Sequence, residues 1–157
     1  MQGKETIEII DYSDDLKEHI KRLNYEWLTK YFKVEERDAI QLSDPKKHII
    51  DKGGFIFYAK SEGEIIGTVS LLKVSDEVFE LGKMGVKESF RGRGIGKILM
   101  DHALAFAQKK GIKELILFSA KKLKPAMHLY EKYGFKEVEF EPGHYERGDV
   151  KMGLKLA

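Results

Sequence analysis

The chain predicts one mixed α/β domain around a central sheet, and three observations carry that expectation. Its 157 residues suit a single hydrophobic core and are too few for two comfortable ones. From Phe55 the apolar residues alternate through "FIFYAK", "EIIGTVSLLKV" and "VFELGKMGV", the period of half-buried strands. On both sides of that block they recur at three- and four-residue steps, the period of helices. No linker, repeat or low-complexity segment interrupts the pattern.

Each element has its own signal. Thr6 to Ile10 is β-branched and alternating, an opening strand, and Ser13-Asp14-Asp15 offers a helix N-cap with early carboxylates. In the helix that follows, Leu16, Ile20, Leu23, Trp27 and Tyr31 define the apolar face, with Lys17, Glu18, Lys21 and Arg22 on the wet side. "VEERDAIQLSDP" reads as a second, short helix ending before Pro45, and "HIIDKGG" as a loop closed by paired glycines. The three alternating runs are separated by Ser61-Glu62-Gly63 and Ser75-Asp76-Glu77, spacings that suit an antiparallel meander.

Past the meander, Ile95, Ile98, Leu99, Ala103, Phe106 and Ala107 mark one face of a helix that stops at Lys109-Lys110-Gly111. "KELILF" is a short buried strand. Leu123, Ala126, Met127 and Tyr130 mark another helical face, with Pro125 admissible in its first turn and Gly134 past its end. "FKEVEF" and "DVKMGLKL" close the chain as strands.

Composition removes several function classes. Lys+Arg is 28 against Asp+Glu 26, a net charge of +2, so bulk electrostatics favour neither nucleic acid nor a membrane surface. The absence of cysteine rules out disulfides, a thiol nucleophile and thiolate metal ligands. His102 and His128 have no partners at metal-ligand spacing, and no metal is expected. "MQGKETIEIIDYSDD" lacks a secretory pattern and no window is apolar enough for a membrane span, so a cytoplasmic protein is expected.

The most informative stretch is Phe90 to Leu99, "FRGRGIGKIL". A dinucleotide fingerprint needs G-x-G-x-x-G, whereas Gly92, Gly94 and Gly96 make G-x-G-x-G. A P-loop needs four residues before its Gly-Lys and then Ser or Thr; here three precede Gly96-Lys97 and Ile98 follows. Both readings fail. Glycines still let backbone N–H groups wrap an anion, and a helix N-terminus adds unpaired donors and partial positive charge. Arg91, Arg93 and Lys97 would add charge to such a pyrophosphate seat; the alternative is a connection whose glycines merely turn the chain.

"GKMGVKESFRGRGIGKILMDHALAFAQKKGIKELIL" resembles motif A of the GNAT superfamily of N-acetyltransferases, whose Gln/Arg-x-x-Gly-x-Gly/Ala pattern is matched by Arg91-x-x-Gly94-x-Gly96. "KLKPAMHLYEKYGFKEV" resembles motif B. The resemblance covers residues 54 to 140. It implies a largely antiparallel mixed sheet, helices on both faces, and acetyl-CoA lying between two splayed parallel strands, Met84 to Val86 and Leu115 to Phe118. Carried over, the backbone around Met84, Gly85 and Val86 would bond the pantetheine arm. The turn comprising Arg91, Gly92, Arg93, Gly94, Ile95, Gly96 and Lys97 would hold the pyrophosphate. Many relatives carry Asn at the place of Ala120, and Ser119 is the residue expected to substitute.

Acetyl transfer from a thioester to a primary amine must take a proton from the ammonium and give one to the departing thiolate. Tyr130 is the expected acid and cofactor contact, its phenol ordinarily titrating at about 10; the competing reading is a core tyrosine on the face of Leu123, Ala126 and Met127. Glu80 is the expected base, acting through water, with pairing to a lysine as the competing reading. The acceptor pocket of this architecture would be built from Asn24, Trp27, Tyr31 and Phe32 and from the loop 142–147, with His144 a weaker candidate. Trp27 and Tyr31 lie on the apolar helical face, where a core role competes, and Asn24 reads as an exposed polar residue beside it.

The expected partner is a small-molecule or protein amine, attacked directly in a ternary complex. An acyl-CoA sensor of the same fold is the alternative. A nucleic-acid reading would use Arg91, Arg93, Lys97, Lys109, Lys110, Lys121, Lys122 and Lys124, but near-neutral charge and the lack of interleaved aromatics count against it. Family members often pair through the C-terminal half, which keeps a homodimer among the expected partners.

Overall fold

The computed structural model describes residues 6–140 and 145–156. Among these residues seven strands form one sheet: β1 (Ile7–Asp11), β2 (Phe55–Ser61), β3 (Glu64–Lys73), β4 (Val78–Val86), β5 (Glu114–Ser119), β6 (Lys136–Val138) and β7 (Val150–Lys155). Four α-helices accompany them: α1 (Lys17–Tyr31), α2 (Glu36–Ser43), α3 (Ile95–Lys109) and α4 (Lys124–Lys132). The strand order is β1-β2-β3-β4-β5-β7-β6, and β4–β5 is its single parallel pair. This is the largely antiparallel mixed sheet that the sequence predicts.

Alternation along β2 sorts the core onto the two faces. Phe57 and Ala59 join α3 residues Leu99, Met100, Ala103 and Ala107, whereas Ile56 and Tyr58 join Ile20, Leu23 and Leu28 of α1 and Leu42 of α2. Burying each large side chain contributes about 1.5–3 kcal/mol, so helices are held on both faces. Tyr58 is fully buried, and its hydroxyl donates to Leu16 O at 2.9 Å. Gly85 lets α1 lie directly on β4, because a Cβ there would meet Leu23 O at 2.9 Å.

Two irregularities open the sheet. The parallel pairing covers Val78, Phe79 and Glu80 against Glu114, Leu115 and Ile116. Beyond it the two strands diverge. On the other side of β4, Thr68 pairs with Gly85 and Ser70 with Gly82, so Lys83 and Met84 together oppose Val69. This is a β-bulge, and its Lys83 adopts φ 50°. A bulge bends its strand and re-aims side chains; here it does so where β4 leaves β5.

Three local expectations are corrected. Ser13 makes no capping bond, and a 3₁₀ turn at Asp14–Leu16 precedes α1. The segment expected as a loop winds into a π-helical turn at Lys46–Ile50: Pro45 supplies a helical φ of −66°, and Asp51 N–H donates to Lys46 O at 2.7 Å. On α1 the buried stripe runs through Ile20, Leu23, Asn24 and Leu28, rotated from the expected face, so Tyr31 is 45% exposed and Asn24 is wholly buried.

Candidate active site

The opening between β4 and β5 is a cavity of about 780 Å³. One part of its wall is the glycine turn. Gly92 and Gly94 adopt φ 80° and 81°, left-handed values that side-chain-bearing residues reach at a cost. Gly94 is the N-cap of α3 and no side chain caps the helix, so its first-turn donors are available to an anion. Arg91, Gly92, Gly94, Ile95 and Gly96 line the cavity. Arg91 is anchored by its Nε–H, which donates to Val86 O at 3.2 Å. Arg93 and Lys97 are outside the lining; the Arg93 guanidinium lies 4.8 Å from the Phe90 ring centre.

Met84, Gly85 and Val86 form the β4 wall and Ser119 and Ala120 the β5 wall. Tyr130 lines the cavity from α4, and its hydroxyl has no hydrogen-bond partner among the described residues. Burial pushes its pKa up to about 12. It is therefore a neutral phenol at physiological pH, fit to donate.

Glu80 is 5% exposed and lines the same cavity. Its carboxyl makes no hydrogen bond among the described residues. Burial raises its pKa, while the charges of Lys83, Arg37 and Arg147 pull it the other way. A carboxylate so poised accepts a proton more readily than an exposed one.

Beside Glu80 lies a cluster in which Tyr145 and Arg147 come from the loop 142–147 expected at the acceptor pocket and line the cavity, whereas Glu35, Asp38 and Lys83 are residues that the sequence reading missed. Asp38 is completely buried. Arg147 grips it with two bonds, Nη1 to Oδ2 at 2.6 Å and Nη2 to Oδ1 at 3.0 Å. Lys83 Nζ donates to Asp38 Oδ1 at 2.9 Å and to Tyr145 Oη at 3.0 Å. Burial alone would raise the Asp38 pKa, but the Arg147 and Lys83 bonds and charges hold it below the ordinary carboxylate value. Glu35 ties the cluster to the segment before β7, accepting from Glu146 N–H at 2.8 Å and from Arg147 Nη1 at 3.0 Å. The available signals were Glu35-x-x-Asp38, a capping-box spacing at the start of a short helix, and a lone lysine inside an apolar strand.

Asn24, Trp27 and Tyr31 line the cavity from α1. The Asn24 amide is occupied internally: Nδ2 donates to Ile20 O at 2.8 Å and Lys83 O at 3.0 Å, and Oδ1 accepts from Trp27 Nε1 at 3.2 Å. It pins the bulge to α1. His144 lies outside the described residues. A separate hollow of about 660 Å³, bordered by Ile10, His19, Arg22 and Glu64, contains none of the candidate residues.

Comparison with known proteins decides the family. Residues 17–135 match the profile of the acetyltransferase (GNAT) family. The chain belongs to that family. Human N-acetyltransferase 8B is 33% identical over 116 residues, covering 70% of this chain and 50% of the relative. The N-acetyltransferase YvbK of Bacillus subtilis, itself uncharacterized, is 29% identical over 125 residues, covering 75% and 81%. The GNAT chain thus spans about half the length of the first mammalian relatives it matches and most of the bacterial one. A GNAT acetyltransferase structure from Staphylococcus aureus Mu50 superposes with a TM-score of 0.87 at 22% identity, covering 97% of this chain and all of that one. The PaiA N-acetyltransferase of Thermoplasma acidophilum, solved with coenzyme A, gives 0.75 at 22%, covering 96% and 99%. Among the described residues of this GNAT chain, no helix is long and apolar enough to cross a membrane.

Proposed function

We propose that this GNAT chain transfers an acetyl group from acetyl-CoA to a primary amine of a small molecule or protein, by direct attack in a ternary complex. The observation that carries the reading is one cavity lined by an uncapped glycine-turned helix start, a stretch of β4 no longer paired with β5, a buried carboxyl and a neutral phenol. Coenzyme A in the PaiA neighbour and the shared family profile support the choice of donor.

The residues present suit that donor. The first-turn N–H groups of α3, with Arg91 beside them, would hold the pyrophosphate. The β4 backbone from Met84 to Val86, beyond its pairing with β5, would bond the pantetheine amides, and Ser119 faces the same space. When bound, the donor supplies a thioester carbonyl for nucleophilic attack. Glu80 would take the ammonium proton, through water, before the amine nitrogen forms its bond to the carbonyl carbon. Tyr130 would give its phenolic proton to the sulfur as the carbon–sulfur bond breaks, the second proton shed by the nitrogen as the amide forms would restore the phenol, the proton held by Glu80 would pass to solvent, and the amide and thiol leave.

Calorimetry with acetyl-CoA and a thiol-release assay over an amine panel test this reading. Tyr130→Phe is expected to lower kcat by about 10²-fold while leaving acetyl-CoA affinity nearly unchanged; full turnover by the variant would remove Tyr130 as the acid. Acetyl-CoA binding without release on any amine would leave the sensor reading instead.

A further inference from the structure

We propose that the acceptor is a primary monoamine with a flat apolar or aromatic body, and that polyamines are rejected because the cavity offers, among the described residues, one uncommitted carboxyl. This rests on the acetyltransferase reading above and concerns the acceptor part of the same cavity.

Among the described residues two carboxyls line that cavity, Asp38 and Glu80. Asp38 is bonded by both Lys83 and Arg147, which leaves it no attraction for a further cation. Glu80 alone, among the described residues of the lining, retains a carboxyl without a partner, enough for one ammonium group. Of the four cationic side chains lining the same space, Lys83 and Arg147 are balanced by Asp38 and Glu35 and Arg91 stands at the glycine turn, which leaves Lys122. A second ammonium would therefore find no second carboxyl to pair with among the described residues and would meet the like charge of Lys122.

The aromatic walls point the same way. Trp27 and Phe32 meet edge to face at 6.2 Å, and Tyr145 continues the wall across Arg147. A ring can bind a cation over its face, but these faces already have occupants: Lys122 stands 4.1 Å from Phe32, Arg147 4.2 Å from Tyr145, and Lys83 4.9 Å from Tyr145. A ring partnered by a protein cation has little left for a substrate ammonium. What it still offers is apolar area and an edge for stacking, and a flat hydrophobic body uses both. The acceptor is thus held by its body against the rings and by one ammonium at Glu80.

Steady-state thiol release at saturating acetyl-CoA, with 2-phenylethylamine, n-butylamine and spermidine, tests the inference. The kcat/KM for 2-phenylethylamine is expected to exceed that for n-butylamine by about tenfold or more, with spermidine lowest. Lys122→Glu, a change at an exposed side chain, is expected to raise spermidine relative to 2-phenylethylamine by about fivefold. Spermidine as the best acceptor, equal rates for the two monoamines, or an unchanged ratio in Lys122→Glu would each overturn the inference and leave the acetyltransferase reading standing. Acetyl-CoA binding with turnover of no amine would overturn both.

Discussion

Glu80 is buried at the last paired position of β4 against β5, and its raised pKa has a consequence for stability as well as for the proposed catalysis. The folded state binds the Glu80 proton more tightly than the unfolded chain does. Its contribution to stability is therefore fully present below the unfolded carboxyl pKa, about 4.3, and is lost as pH rises through the folded value. Glu80→Gln should accordingly raise Tm at neutral pH and leave it little changed at pH 4, while lowering kcat. Thermal unfolding of both proteins across that range checks the sign; a lower Tm for the variant at pH 7 would show the ionised carboxylate to be net stabilising. Glu80 and Tyr130 were legible in the sequence as residue types on a strand and a helix that the family motifs single out. Asn24 was not: its side chain is buried because α1 rotates to seat Leu23 against Gly85, and no local pattern records that rotation.

At the scale of elements, α2 is short and contributes few core residues, yet it holds a charged cluster together. Its Asp38 has a depressed pKa, so the stability it contributes is present above the unfolded value, about 3.9, and is lost as pH falls through the folded one. Asp38→Asn removes the charge between Lys83 and Arg147 and should destabilise the fold by about 3–5 kcal/mol, as read by urea denaturation at neutral pH. The double variant Asp38→Leu, Lys83→Met should recover part of that loss, because apolar replacements leave no unpaired Lys83 charge; a double variant no more stable than Asp38→Asn would show that packing, not charge pairing, dominates there. The helices and strands were readable from their periods, and the π-helical turn was not. "HIIDKGG" carries loop residues, but Pro45 and the Gly53–Ile50 and Gly54–Ile49 backbone bonds wind it into the approach to β2.

For the whole molecule, the cavity divides the sheet between β4 and β5 and is bordered by α1, α3 and α4. A ligand that binds this folded arrangement and not the unfolded chain stabilises it by about 2.7 kcal/mol when its concentration is 100 times Kd. Acetyl-CoA should therefore raise Tm in a concentration-dependent way, and an absence of shift at millimolar acetyl-CoA would contradict cofactor binding in this cleft. The order of elements agrees with the hydrophobic periodicity of the sequence, and the parallel pair and two-faced core agree with what the family resemblance implies.

The glycine turn, the alternating meander and the two motifs are local, carried by residues close together in the chain, and they sufficed to name the fold and to propose its cofactor cleft. The cluster of Glu35, Asp38, Lys83, Tyr145 and Arg147 is of another kind. Its members come from α2, from the β4 bulge and from the segment before β7, and their partnerships exist because the sheet carries those segments to one place. Bonding between charges separated by 109 residues, as in Asp38 and Arg147, leaves no mark on the pattern near either residue. Long-range assembly therefore sets which lining carboxyl is left without a partner among the described residues, and the proposed selectivity for the amine rests on that.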